Sequence, residues 1–79
     1  MTDSANEEAF AQPDLSARLE AIYVFLKLTN FHVSHITLAR AVNGYAQAHS
    51  LSPLEAACEV EARLSESSLA GRDLVEYAG

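Results

Sequence analysis

Apolar positions recur at helical spacing in three separate stretches of the chain. In DLSARLEAIYVFLKLT, Leu15, Leu19, Ile22 and Leu26 fall on one stripe. Placing residues at intervals of about 100° leaves a narrow polar wedge of Ser16, Glu20 and Lys27. Beyond that wedge lies a second apolar stripe of Ala17, Ala21, Val24, Phe25 and Leu28, with Arg18 inside apolar territory. A helix that is apolar on two sides is central in a bundle or shared with a second chain. The β-branched and aromatic content of IYVFL also suits a strand. No hairpin turn or second strand-like run lies near it, so the helix reading stands.

The second stretch follows a connector at residues 29–33. Ser34 is placed to cap HITLARAVNGYAQAH, in which Leu38, Val42 and Tyr45 share a stripe flanked by Ala41 and Ala46. Arg40, Asn43 and Gln47 take the opposite face. Gly44 costs that helix about 1 kcal/mol relative to alanine, and it marks either a close helix approach or a weak spot. Ser52-Pro53-Leu54-Glu55 is the clearest local signal: a capping serine, proline at the first helical position, and a glutamate that closes a capping box. The third helix then carries Leu54, Ala57, Val60 and Leu64 on its apolar face, with Glu61 inside that face. Ser68 is placed to cap a short last helix, with Ala70, Leu74 and Tyr77 on one side and Gly71 weakening it. The expected fold is all-α: a compact bundle of helices over about 14–29, 34–49 and 53–65, plus a short C-terminal helix over about 68–77.

Charge divides the chain. Residues 1–14 hold four acids and no base, and Pro13-Asp14 punctuates the boundary. Residues 1–13 are therefore read as an acidic, mobile arm, and residues 14–79 as one helical domain. The middle of the chain is mildly basic, and residues 52–79 set six acids against Arg63 and Arg72. The total is −6 over 79 residues, with 49% apolar and 20% charged side chains. That is the composition of a globular chain. It lacks the clustered cations that phosphate neutralisation requires, so direct nucleic-acid binding is disfavoured. No apolar run reaches the length of a membrane span. The N-terminus has neither the basic region nor the apolar core of a secretory leader, and the single Cys58 forms no internal disulfide. A cytoplasmic setting is expected.

The stretch YAQAHSLSPLEAACEVEARL resembles the junction between two tetratricopeptide helices. The chain is too short for the three units such arrays need, which makes it ordinary helix–turn–helix chemistry.

Candidate chemistry is thin. His32 and His35, with His49 or Cys58, form only a loose ligand pattern for zinc, and caps and helix ends explain the histidines as well. Cys58 lies at the edge of an apolar stripe, where free cysteine behaves as a small hydrophobe. Glu55, Glu59 and Arg63 have the spacing of a solvated helix face. Neither a catalytic residue nor a cofactor is expected. Arg18 and Glu61 interrupt apolar stripes with opposite signs: they meet across the bundle, or each snorkels to solvent.

The second stripe of the first helix carries the functional expectation. A small bundle of short, Ala-rich helices covers two stripes with difficulty, and an exposed apolar patch marks an interface. Ala17, Ala21, Val24, Phe25 and Leu28 are the candidate partner-binding residues. The expected role is non-enzymatic: a small acidic protein that binds a larger protein and modulates or inhibits it. In size and charge it resembles, in kind only, the compact inhibitors carried by phages or other mobile elements. The alternatives are a homodimeric structural or adaptor module and a DNA-associated regulatory subunit.

Overall fold

The computed structural model describes the backbone of residues 3–79 and the side chains of residues 14–79. Four helices follow in order: α1 (Asp3–Leu28), α2 (His35–His49), α3 (Pro53–Ser65) and α4 (Gly71–Val75), the last running into a 3-10 turn at Glu76–Ala78. The described residues contain no strand. The all-α bundle expected from the spacing is the fold found. α1 begins ahead of Asp14 and its backbone carries through Pro13. The side chains of residues 1–13, and the expectation of a mobile arm, lie outside what is described.

The starts of α2 and α3 follow local chemistry. Ser34 Oγ accepts from the Thr37 N–H at 3.1 Å. At α3 the capping box is complete: Glu55 N–H donates to Ser52 Oγ at 3.1 Å, and Ser52 N–H donates to Glu55 Oε1 at 3.0 Å. Two orphan donors of the first turn are thus satisfied reciprocally.

The ends of the three long helices share one device without using glycine. Phe31 N–H bonds the Leu26 carbonyl and Asn30 N–H bonds that of Lys27. Leu51 and Ser50 repeat the pattern on Ala46 and Gln47, as do Ser68 and Ser67 on Arg63 and Leu64. Each is the paired closure of a Schellman motif, which needs a left-handed residue. Asn30, Ser50 and Ser67 supply it, with φ of 68°, 57° and 63°. Ser68 therefore closes α3 and does not cap the last helix, correcting the expected start at residue 68. The residue before α4 is Ala70, with no side-chain cap bond, and α4 begins at Gly71. The chain runs from Ser67 to Ala70 as a connector because the Arg63 carbonyl claims the Ser68 N–H and hydroxyl.

The core is Ile22 and Leu26 of α1, Leu38, Ala41, Val42, Tyr45 and Ala46 of α2, Ala56, Ala57, Val60 and Leu64 of α3, and Leu74 of α4. Leu15 and Leu19 pack at its margin. α1 packs mainly on α3, and α2 packs on α3 and on the C-terminal turn. Alanine at 41, 46, 56 and 57 lets these backbones approach closely. Gly44 goes further: a Cβ there would overlap the Tyr77 carbonyl, so this glycine seats the last turn on α2. Of the two readings open for Gly44, close approach is the one realised.

Candidate functional site

Over residues 14–28, α1 buries one side against the core. Ile22 and Leu26 are fully buried, and Tyr23 and Phe25 are half-buried against the core. On the opposite side Ala17, Ala21, Val24 and Leu28 are exposed, with Val24 at 44% and Leu28 at 80% of full accessibility. The other large exposed apolar side chain among the described residues is Ile36, in the first turn of α2. Four of the five candidate partner-binding residues therefore share one solvent-facing strip. Phe25 sits on its flank, where the strip meets the core.

Beside this strip, between α1 and α3, runs a groove of about 490 Å³. Ala17 and Ala21 form one side, and Leu54 and the half-buried Cys58 the other. Arg18 and Glu61 also line it and pair across it, with Arg18 Nη1 donating to Glu61 Oε1 at 2.9 Å. The two side chains are 49% and 33% exposed, so the pair forms at the stripe edge and reaches solvent as well. The hydrogen bond to Glu61 raises the Arg18 pKa further above its ordinary value, which keeps the guanidinium charged. An exposed pair of this kind adds little stability, and it joins α1 to α3 across the groove.

On the other flank of the strip, His35 Nε2 lies 3.1 Å from Glu20 Oε1. The imidazole stacks on Tyr23 with ring centres 3.9 Å apart. This links the first turn of α2 to α1 through two exposed side chains, His35 and Glu20.

A second polar constellation was not legible in the spacing. Tyr45 is fully buried, yet its hydroxyl reaches the bundle edge. There it donates to Glu59 Oε2 at 2.7 Å and accepts from Arg63 Nη1 at 2.7 Å. Burial, and then the bond to Glu59, raises the Tyr45 pKa, so the phenol stays protonated. His49 stacks on the Tyr45 ring at 4.2 Å, and Tyr77 meets it edge-on at 5.2 Å. Glu59 is exposed, as expected of a solvated helix face, and Arg63 is half-buried; both also complete the hydrogen bonding of a core tyrosine, which a buried hydroxyl requires. Between these two partners the phenol has both its donor and an acceptor position filled.

Among the described residues, no group of three or more His, Cys, Asp or Glu side chains is placed to hold a metal. No helix there is long and apolar enough to cross a membrane. The chain matches no protein-family model, no curated protein and no solved structure.

Proposed function

We propose that this protein is a non-enzymatic binding module that docks another polypeptide on the outer face of α1. The observation that carries this reading is the exposure of Leu28 and Val24 beside Ala17 and Ala21, on the side of α1 opposite its core residues. Exposed alanines let a second helix come close, and the two larger side chains give it something to grip. Two occupants suit such a face. One is a larger protein, modulated or inhibited by the docking, with the acidic surface of the last two helices adding attraction to a basic target. The other is a second copy of the chain, which the spacing along α1 favours.

Leu28→Asp tests the docking role without touching the core, because Leu28 is 80% exposed. Cross-linking in the producing cell and a stability measurement on the purified chain belong together. The expected result is loss of every cross-linked product that the parent chain forms, with stability changed by no more than about 0.5 kcal/mol. Unchanged cross-linking would refute the reading.

A further inference from the structure

The outer face of α1 has a pattern that specifies its occupant. Ala17, Ala21, Val24 and Leu28 follow one another in steps of four, three and four residues. Those steps hold the four side chains on one face, the spacing that a helix pair uses at its seam. The two small residues come first and the two larger ones last. Glu20 and Lys27 lie together on one flank of the seam, seven residues apart and both exposed, and Glu20 Oε1 also lies 3.1 Å from His35 Nε2.

We propose that a second copy of this chain covers the face, with the two α1 helices antiparallel about a two-fold axis between Ile22 and Tyr23. The proposal rests on the docking role of the same face. In this register Leu28 lies over the partner's Ala17, and Val24 over the partner's Ala21. Every layer then sets a large side chain against a small one. Glu20 falls beside the partner's Lys27 and Lys27 beside the partner's Glu20, so two opposite-charge contacts form by symmetry. The groove along Ala17 and Ala21, backed by Leu54 and Cys58, is the space that the partner's Leu28 and Val24 enter. A parallel pair has neither advantage. It stacks alanine on alanine at one end and leucine on leucine at the other, and it places Glu20 beside the partner's Phe25. Volume and charge thus choose the same orientation.

The test is sedimentation equilibrium on the full chain up to roughly 1 mM, with helicity measured on the same samples. Four proteins are compared: the parent, Glu20→Lys, Lys27→Glu, and the doubly swapped chain. The parent should be a dimer. Each single change turns two attractions into two repulsions and should weaken the dimer about tenfold or more. The double swap restores both contacts and should return the Kd to within about threefold of the parent. A monomer throughout the range, single variants that dimerise as the parent does, or a double swap weaker than either single would each overturn the self-pairing. Leu28→Asp separates this failure from that of the docking role. A monomeric chain whose cross-links to a different protein vanish in Leu28→Asp overturns only the self-pairing. Association that ignores Leu28→Asp overturns both.

Discussion

Replacing Gly44 by alanine should destabilise the protein, against the ordinary rule for glycine in a helix. In an exposed helix interior the change stabilises by about 1 kcal/mol, because glycine loses more backbone freedom on folding. Here the new methyl would overlap the Tyr77 carbonyl, which is backbone and cannot swing aside like a side chain. The turn at Glu76–Ala78 must lift from α2, and Tyr77 then loses its edge contact with the Tyr45 ring. Forcing a methyl into a filled site costs about 1–3 kcal/mol. Withdrawing a half-buried tyrosine from its packing costs an amount of similar order. Set against the helix gain, the net loss is about 1–5 kcal/mol, which is at least roughly 4–8 °C in Tm for a domain of this size. Thermal and urea unfolding followed by circular dichroism would measure it. A chain ending at Val75 provides the control, since the carbonyl is gone. In that background Gly44→Ala should reverse sign and stabilise by about 1 kcal/mol. A raised midpoint in the full chain would refute the reasoning, as would equal effects in the two backgrounds.

Three further outcomes follow from the same contacts. Ser52→Ala removes the side-chain acceptor of the α3 capping box and should cost about 0.5–2 kcal/mol in chemical denaturation, while an unchanged midpoint would place the start of that helix elsewhere. Ser67 holds a left-handed conformation at the end of α3, so Ser67→Gly should raise stability by about 0.5 kcal/mol, and a lower midpoint would contradict the closure described there. Because the Tyr45 pKa is raised on folding, the stability it contributes is whole below the unfolded tyrosine pKa of about 10 and is lost as pH rises through the folded value. Stability should therefore decline in the alkaline range, and Tyr45→Phe should flatten that decline while costing about 1 kcal/mol at neutral pH.

What could be read from the residues divides along physical lines. The starts of α2 and α3 were legible because they are local: Ser34 bonds a backbone three residues ahead, and Ser52-Pro53-Leu54-Glu55 contains its whole capping box, whereas α1 begins ahead of the expected Asp14 and α4 after the expected Ser68. Helix ends were harder because no glycine marks them. Serine serves as a start signal far more often than as a left-handed terminator, which is why Ser68 suggested a cap and Ser67 suggested nothing. The core side of α1 followed from periodicity, since Ile22 and Leu26 lie where the stripe put them. Periodicity assigns a side chain an angle but no reach. It left Arg18 and Glu61 between two readings, and their long side chains satisfy both by pairing at the stripe edge. It set Glu59 and Arg63 on a solvated face, although both extend to a hydroxyl at the end of a buried ring on another helix. Gly44 could be placed between close approach and weakness only once the fold had brought the last turn beside it.

The claim that the outer face of α1 is a contact surface is tested most directly by Ala21→Glu. Mass and helicity are measured on the same concentrated samples of the parent and the variant. Ala21 is exposed, so the monomer has room for the longer side chain. In the proposed pairing the carboxylate would meet the partner's Val24, where a desolvated charge without a partner costs several kcal/mol. The parent should be a dimer and the variant a monomer of unchanged helicity. A variant that loses helicity along with association would place Ala21 in the monomer core, and a variant with the mass, the helicity and the cross-linked products of the parent would make the face ordinary surface; either result refutes the contact surface.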